Sequence, residues 1–391
     1  MSGKDKSQEI LRTCVRCGIC LGSCPVYRKT RLEPDSARGR LELIRALIDG
    51  EKGRQGADPN HVPSVSKDIE DHKGRSQQSL VEITSGACAS HLDCLFCLQC
   101  QKICAAGVPF DRFLFQGMQI LRRKDKDTLR NTAFARRAPK PTITSSHEID
   151  AWIKDISRRV KPSSSGVMIF TGCFASQEEM KRVGSLLSGK GMDAIVTPEG
   201  FCCGLPCLLQ GDQEGALPGM RKNLQILKKL RIRQVLTPCP FCLETFKRYY
   251  PLMLNQETDI AFEHISDPIL SSGLKPKKIL SKKVAYHPPC LLDPKTASSH
   301  QQNIAQMAGD LYVAIPSRMC CGHGFGYPSN RVEIAKEIGQ DNLKIIMEKG
   351  VQVLITDCPS CTTQWKRAAR EGAWDLEVIP FWQLFLEPGP L

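Results

Sequence analysis

The sequence lacks most of the features that mark membrane-spanning, secreted or nucleotide-binding proteins. No stretch approaches the eighteen apolar residues of a membrane helix, and residues 1–9 show no apolar core of a secretory signal. No G-x-G-x-x-G fingerprint for a nucleotide or flavin is evident. These absences predict a cytoplasmic protein with no transmembrane segment of its own, which depends on partners for flavin chemistry. Its 391 residues suit two or three domains.

Aromatic residues are also scarce, at 6% of the chain. The 54 lysines and arginines exceed the 41 acidic residues and give a formal net charge of +13. The densest basic run, residues 122–137, lacks the repeated aromatic residues that stack on bases. We therefore expect no nucleic-acid partner, and interpret the run as a solvated face or a docking patch for an acidic partner.

Cysteine is abundant, with 20 residues. Cysteines at this density are disulfides, metal ligands or both. Because the compartment is expected to be reducing, we interpret most of them as metal ligands.

The first cysteine motif has the C-x2-C-x2-C-x3-C-P spacing of bacterial-type ferredoxins, and a second copy, in which Ala105 replaces the proline, lies downstream. In this pattern the fourth cysteine of each copy ligates the other cluster. One expected [4Fe-4S] cubane is therefore held by Cys14, Cys17, Cys20 and Cys104. The other is held by Cys94, Cys97, Cys100 and Cys24. Zinc is the weaker alternative, because it usually takes paired C-x2-C knuckles well separated in sequence.

The segments around these motifs predict helices separated by polar stretches. They are a capped amphipathic helix over residues 34–50 that ends at Gly50, a mobile insertion over 51–76, a helix over 111–124, and a linker over 125–165 with a short helix near Trp152.

From residue 166 onward a pattern of five cysteines occurs twice, and corresponding cysteines are 117 to 119 residues apart. The first cysteine set is Cys173, Cys202, Cys203, Cys239 and Cys242. The second cysteine set is Cys290, Cys320, Cys321, Cys358 and Cys361. Short apolar runs precede them and predict strands at 167–170, 194–196, 235–236, 284–286, 312–315 and 353–355. Alternation of strands and helices predicts parallel sheets with the cysteines at the carboxyl ends of the strands.

Each set contains an adjacent Cys-Cys pair, which fits neither a simple tetrahedral zinc site nor an unstrained disulfide. Five converging thiolates indicate an iron-sulfur assembly larger or more open than a cubane. The glycine after each pair, Gly204 or Gly322, lets the backbone pass close to the sulfur ligands. A structural zinc site with spare cysteines is the alternative.

The repeat resembles the cysteine-rich CCG domain of heterodisulfide reductases. The whole layout is similar to that heterodisulfide reductase component in which a ferredoxin domain precedes two CCG domains. Glycolate and lactate oxidase iron-sulfur partners and the anchor subunit of anaerobic glycerol-3-phosphate dehydrogenase share this layout. The resemblance implies an α+β multidomain chain, in which an N-terminal all-helical ferredoxin domain precedes two α/β CCG repeats with parallel sheets. The expected bounds are 1–135 for the ferredoxin domain, 136–165 for the linker, 166–275 for the first CCG domain and 280–391 for the second.

The resemblance also implies cofactors and an activity. Each cysteine set is expected to bind a noncubane [4Fe-4S] cluster, in addition to the two cubanes. The chain would be an oxidoreductase subunit that exchanges electrons between the cubanes and a noncubane pair acting on a disulfide, thiol or other sulfur substrate. Many glycolate-oxidase-type members lack one cysteine of the last pair, whereas this chain keeps all five twice.

The alternative is a pure electron relay that links a flavin 2-hydroxy acid dehydrogenase to quinone or a cytochrome. Under both hypotheses the partner is a flavoprotein, a membrane cytochrome b or a quinone-reactive subunit, and the chain is cytoplasmic or peripheral on the cytoplasmic face through that partner. A redox or zinc-dependent regulator is a weaker third hypothesis.

Catalytic candidates are the Cys-Cys pairs and two nearby histidines. They are Cys202, Cys203, Cys320, Cys321, His323 and His287. The histidines are proposed proton donors, and simple hydrogen bonding around the ligands is the alternative. Cys88 and Cys207 lie outside the ligand sets and are interpreted as buried structural thiols. The apolar run 378–386 is interpreted as core rather than as a docking surface.

Overall fold

The protein is described by a computed structural model over residues 13–55, 94–124, 146–159, 166–198, 201–278, 280–317, 319–324 and 331–387. Cys88 lies outside these residues, as does most of the predicted insertion. The chain divides into two compact units. The first is Met1–Arg136 with Leu209–Gly211, and the second is Arg137–Leu208 with Asp212–Leu391.

The described part of the first unit is helical, as predicted. Its helices are α1 (Ile19–Ser23), α2 (Pro25–Thr30), α3 (Ala37–Gln55), α4 (Gln99–Lys102) and α5 (Phe110–Lys124), with a 3-10 turn at Glu33–Asp35. Helix α5 confirms the helix predicted over 111–124, and it packs against α3. The predicted end of α3 at Gly50 is wrong, because the helix continues to Gln55. A glycine inside a helix costs only about 1 kcal/mol relative to alanine, which does not by itself end a helix.

The second unit carries two parallel sheets. Its strands are β1 (Val167–Ile169), β2 (Ala194–Val196), β3 (Gln234–Thr237), β4 (Ala261–His264), β5 (Val284–His287), β6 (Val353–Thr356) and β7 (Glu377–Pro380). The first sheet has the order β2-β1-β3-β4 and the second β5-β6-β7, and every described pairing is parallel. Parallel sheets are therefore confirmed for both repeats.

Helices connect and cover these strands. They are α6 (Ser146–Arg159), α7 (Gln177–Ser188), α8 (Leu205–Leu209), α9 (Gln213–Lys229), α10 (Pro240–Glu244), α11 (Tyr250–Leu254), α12 (Ser266–Ser271), α13 (Pro294–Ala308), α14 (Val332–Glu348) and α15 (Pro359–Glu371). Helix α6 confirms the helix predicted near Trp152 and is longer than expected. A π turn over Thr245–Tyr249 separates α10 from α11.

One predicted strand is wrong. Residues 312–315 form no strand, and Tyr312 makes a single parallel bridge to Val284. Pro316 follows the segment and has no N–H to donate, so the ladder cannot extend through it. In consequence Cys320 and Cys321 follow an irregular segment, whereas Cys173, Cys202, Cys239, Cys290 and Cys358 each follow a strand, as expected.

The two repeats share one hydrophobic core. Ile169 and Leu236 of the first repeat belong to the same buried cluster as Ile355 of the second. Residues 381–386 close this cluster, and Phe381, Trp382 and Leu384 are at most 1% exposed. The core interpretation of the C-terminal apolar run is therefore confirmed. Across the described residues, every helix is too short or too polar to cross a membrane.

Candidate metal centres

The thiols of the first cysteine set form a continuous series of hydrogen-bonding contacts. Cys202 contacts both Cys173 and Cys203. Cys242 contacts both Cys203 and Cys239. Because these residues come from three loops at the carboxyl end of the first sheet, the fold brings all five cysteines of the set together.

Cys203 lies at the centre of this series and is the acidic thiol of the set. Hydrogen bonds from Cys202 and Cys242 lower the pKa of Cys203 well below its ordinary value, in spite of its burial. The same hydrogen bonds raise the pKa of Cys202 and Cys242, which are held as donors. The thiolate is the form of cysteine that binds metal, so the set offers one prepared ligand flanked by thiols that lose protons on binding.

The glycine after each Cys-Cys pair adopts a left-handed backbone conformation, with φ of +93° at Gly204 and +83° at Gly322. In this turn the N–H of Gly204 donates to Sγ of Cys202 at 3.4 Å, and that of Gly322 donates to Sγ of Cys320 at 3.5 Å. The backbone therefore passes close to the ligand sulfur, and residues other than glycine rarely adopt this φ.

A third glycine, Gly172, leaves room inside the first set. A Cβ at this position would lie 3.1 Å from Sγ of Cys242, and the residue has a φ of +73°. The loop after β1 can thus approach the opposite ligand loop without a side chain between them.

In each C-P-x-C motif a proline begins a helix, and the two cysteines lie on the same side of the first helical turn. Pro240 and Pro359 occupy the first positions of α10 and α15. Proline suits this position because its fixed φ matches the helix and its missing N–H has no partner there anyway. The second cysteine follows three residues after the first, at a spacing that places both on the same side of the helix.

The second cysteine set has the same core arrangement. Cys361 contacts both Cys321 and Cys358, and these hydrogen bonds, together with burial, raise its pKa well above the ordinary value. Asn342 donates to the carbonyl oxygen of Cys320 at 2.8 Å, just as Asn223 donates to that of Cys202 at 2.9 Å.

The second set also has buried polar atoms that suit a bound group. Ser360 lies between Cys358 and Cys361 in the sequence, and Trp365 follows Cys361 by four residues on α15. Ser360 Oγ and Trp365 Nε1 are buried without a hydrogen-bond partner among the described residues. Buried donors are nearly always satisfied in native proteins. A sulfur-rich cluster at this site would supply acceptors, so these residues fit such a group.

The loops that carry the two sets touch within the second unit. Phe174, next to Cys173 of the first set, packs edge-on against His323 of the second set, with ring centroids 5.4 Å apart. Cys173 and Cys290 are half-buried, whereas the other eight cysteines of the two sets are buried. Each set is therefore approachable from the side of its first cysteine.

The two candidate histidines have different surroundings. His287 is 1% exposed, with Nδ1 bonded to Thr356 and Nε2 to the carbonyl of Met319, both at 3.1 Å. Burial lowers its pKa to about 4, so the ring is neutral and both nitrogens are engaged. His323 bonds through Nδ1 to the carbonyl of Gly324 at 2.6 Å, and burial lowers its pKa as well.

A buried polar network joins the two repeats beside the second set. The carboxylate of Asp357 accepts hydrogen bonds from Ser266, Tyr286 and His300 at 2.6 to 2.8 Å. His300 also bonds to Asp267 at 2.9 Å. Burial opposes charge at His300, but the two carboxylates outweigh it and raise its pKa to about 9.

Sequence reasoning does not anticipate this network. His264, His300 and Asp357 are close enough to share a metal ion. The ring nitrogens of the two histidines are instead hydrogen-bonded to carboxylates, to carbonyls and to the N–H of Ser266. We interpret the group as an ion pair with its supporting hydrogen bonds. Asn223 and Asn342 lie in no cysteine motif. Their separation of 119 residues matches the repeat offset and is the one sequence signal that could identify them.

The first unit assembles the ferredoxin-type cysteines in two groups. An apolar pocket that is open to the surface is lined by Cys14, Cys17, Cys20, Cys100 and Cys104.

Cys94 lies near Cys97 and Cys24, and Cys100 lies near these three cysteines and near Cys20, so that Cys100 borders both groups. Arg40, 1% exposed, donates to Sγ of Cys24 at 3.9 Å and lies beside Cys94. Burial raises the pKa of the Cys94 thiol to about 12, although the Arg40 charge opposes the rise.

Cys207, outside both sets, lies in α8 and is 5% exposed.

Comparison with known proteins identifies the repeat. The family model described as CCG, cysteine-rich domain, matches residues 167–247 and 284–366. These two matches contain all ten cysteines of the two sets.

Several curated relatives are similar over longer stretches. The chain is 30% identical to an uncharacterized iron-sulfur protein of Methanocaldococcus jannaschii over 226 residues. This stretch covers 54% of this chain and 44% of the relative. It is 23% identical to a subunit of the dihydromethanophenazine:CoB–CoM heterodisulfide reductase of Methanosarcina barkeri, over 90% of this chain and 87% of the relative. It is 20% identical to the glycolate oxidase iron-sulfur subunit of Escherichia coli, over 96% of this chain and 94% of the relative.

The chain thus spans less than half of the first of these relatives and most of the other two. Two CCG cysteine-rich domains therefore make up the greater part of the second unit, and the chain is similar over most of its length to iron-sulfur subunits of oxidoreductases.

Proposed function

We propose that this chain is the iron-sulfur subunit of a multi-subunit oxidoreductase that holds two [4Fe-4S] cubanes and two noncubane [4Fe-4S] clusters. The ligands of one cubane would be Cys14, Cys17, Cys20 and Cys104, and those of the other Cys94, Cys97, Cys100 and Cys24. The first and second cysteine sets would each hold a noncubane cluster. When bound, these clusters supply single electrons and a Lewis-acidic iron.

The reaction that we propose is the reduction or formation of a disulfide or a related sulfur substrate. Cleavage of a disulfide requires two electrons, whereas iron-sulfur clusters exchange them one at a time. The observation that carries the proposal is the contact of Phe174 with His323, because it joins the loops of the two repeated sets. The half-buried Cys173 and Cys290 leave each set approachable by a substrate.

Proton delivery is assigned to His323, which lies two residues beyond Cys321 and is half-buried in its accessible surface. His287 remains a weaker candidate for this role. Its engaged nitrogens favour the alternative, in which it holds the carbonyl of Met319 and so fixes the loop that carries Cys320.

A pure relay is the second candidate function. The similarity to a glycolate oxidase iron-sulfur subunit over 94% of that relative favours it. The burial of eight of the ten cysteines also suits electron transfer, since it shields most of the ligand sulfur from solvent. In this role the chain would link a flavin 2-hydroxy acid dehydrogenase to quinone or a membrane cytochrome b, on the cytoplasmic face and through those partners.

The two functions are separated by one variant and one control. The full chain is purified anaerobically with its partners, and its iron and acid-labile sulfide are counted. Four [4Fe-4S] clusters correspond to about sixteen irons. Cys321→Ala should abolish disulfide-dependent turnover, whereas Cys207→Ala, a buried cysteine outside both sets, should leave it intact. Unchanged turnover in Cys321→Ala, or electron transfer to quinone with no response to disulfides, would favour the relay.

A further inference from the structure

The first cysteine set has a buried phenol beside it that the proposed function does not use. Tyr250 is 0% exposed and begins α11, directly after the π turn Thr245–Tyr249. Its backbone N–H donates to the carbonyl oxygen of Thr245, five residues earlier.

Pro251 provides the physical reason for this irregular turn. Proline has no N–H to donate to the carbonyl four residues before it, and its ring crowds that carbonyl in a regular helix. A π turn inserts one extra residue and so relieves the conflict, and such turns are frequent at functional sites. The distortion changes the direction in which Tyr250 leaves the helix.

The hydrogen bonds of Asn223 show that the phenol oxygen of Tyr250 accepts a hydrogen bond, which leaves the phenolic O–H as a donor. One Asn223 side chain donates to the phenol oxygen of Tyr250 at 2.8 Å and to the carbonyl oxygen of Cys202 at 2.9 Å. An asparagine amide has two N–H donors, and both are used here. The phenol oxygen is therefore an acceptor toward Asn223, and its O–H remains to be donated to another group.

The O–H lies beside the first cysteine set, because one Asn223 amide joins the phenol oxygen of Tyr250 to the backbone carbonyl of Cys202. Burial raises the pKa of Tyr250 well above its ordinary value, and the Asn223 hydrogen bond opposes this rise only in part. The nearby charges of Cys203, Cys202 and Cys242 raise the pKa further. The buried phenol thus lies beside the first cysteine set, and its O–H donates to none of the described residues.

The second cysteine set, as far as the structure describes it, has no equivalent phenol. Its asparagine is retained, since Asn342 donates to the carbonyl of Cys320. Helix α15, however, runs without a π turn from Pro359 to Glu371, and the residues that correspond to Tyr250 are alanines, Ala368 or Ala369. The two sets are therefore not equivalent in their buried hydrogen-bond donors.

We propose that Tyr250 donates its phenolic hydrogen bond to a sulfur atom of the first CCG site and thereby raises the reduction potential of the cluster held there. The inference rests on the proposed clusters. Reduction adds negative charge to the cluster and its sulfur ligands, and a hydrogen-bond donor stabilises the more negative state. The phenol would make the first site a better electron acceptor than the same site without it.

The test is Tyr250→Phe in the full chain, followed by redox titration of the cluster signals by electron paramagnetic resonance. One noncubane signal should titrate at a lower potential, so that the ratio of reduced to oxidised cluster at a fixed ambient potential falls several-fold. The other signals should not move. Tyr286→Phe is the matched control, because that buried phenol donates to the carboxylate of Asp357 at 2.6 Å rather than to sulfur.

A second measurement uses the unaltered protein and does not depend on the variant folding. Electron-nuclear double resonance on protein prepared in H2O and in D2O should detect an exchangeable proton coupled to the first cluster. Absence of that proton, an unmoved potential in Tyr250→Phe, or an equal shift in Tyr286→Phe would overturn the inference. Iron and sulfide counts distinguish a failure of this inference from a failure of the proposed function. A protein without clusters in the CCG sites would contradict the proposed function itself.

Discussion

His264 Nε2 lies 2.9 Å from the carbonyl oxygen of Asp357 and 3.1 Å from that of Pro238. Pro238 precedes Cys239, and Asp357 precedes Cys358. One imidazole at the end of β4 therefore holds the backbone at the C-P-x-C motifs of both repeats. The loops of the two cysteine sets are therefore joined by one side chain.

Loss of this imidazole should destabilise both sets together. In His264→Ala the two buried carbonyls lose their donor, at a cost of about 1–3 kcal/mol for each one left unsatisfied. Chemical unfolding under anaerobic conditions measures the loss. His264→Gln supplies amide N–H donors and should recover part of the lost stability. Equal stability of His264→Ala and the unaltered chain would show that the bridge contributes nothing.

The ion pair of His300 should make stability depend on pH above neutrality. Its pKa rises from 6.5 in the unfolded chain to about 9 in the fold, where it faces Asp357, Asp267, the ring of His264 and that of Phe381. The stabilisation is complete below pH 6.5 and is lost as the pH rises through 9, on the order of 3 kcal/mol in all.

Thermal melting between pH 6 and 9.5 checks this dependence. The melting temperature of the unaltered chain should fall more steeply over this range than that of His300→Gln, which does not titrate. Parallel slopes for the two proteins would contradict the assignment of a protonated His300.

The two CCG glycines should differ in their tolerance of alanine. A Cβ at Gly322 would lie 2.5 Å from the backbone oxygen of Ala335, whereas at Gly204 it would meet the flexible side chain of Met220 at 3.1 Å. Both positions have positive φ, which costs roughly 1–3 kcal/mol for other residues. Gly322→Ala should therefore lose more stability and more iron than Gly204→Ala, as measured by melting and metal analysis. The reverse order would contradict this structure of the second set.

Arg40 should be essential to the first unit, whereas its neighbour Arg38 should not. Arg40 is buried near Cys24, Cys94 and Asp35, so Arg40→Met removes a buried positive charge from beside them, at a cost of about 3–5 kcal/mol. Arg38 makes a surface ion pair with Glu33, whose loss costs about 0–1 kcal/mol.

The same pair of variants reports on the cubane that we assign beside Arg40. Removal of a nearby positive charge disfavours the reduced state, so Arg40→Met should lower the potential of the cubane beside it. Arg38 lies near Cys20 of the other proposed cubane, so Arg38→Met should leave the signal of the cubane beside Arg40 in place. Identical effects of the two substitutions on stability and potential would refute the distinction.

Local patterns in the sequence account for much of the fold. The apolar runs before Cys173 and Cys358 form β1 and β6, because buried parallel strands consist of short continuous apolar stretches. Strands β4 and β7 carry no such signal, since Ala261–His264 and Glu377–Pro380 are too mixed in polarity to stand out. Gly50 misleads the helix prediction, because a single glycine is a weak signal within a good helical segment.

The contacts between the repeats have no local signal either. Ser266 and Asp357 are 91 positions apart, and His264 and Asp357 are 93 apart. No periodicity connects residues at such separations, and only the packing of one repeat on the other brings them within hydrogen-bonding distance.

The sequence by itself determined the composition of each cysteine set, the duplication, and the parallel sheets, because spacing along the chain and short hydrophobic runs are local properties. Tertiary structure decided that Cys203 is the acidic thiol, that Tyr250 and Arg40 lie beside cysteines, and that Phe174 meets His323. These properties depend on burial and on the distances between groups far apart in the chain, and neither quantity exists until the elements pack.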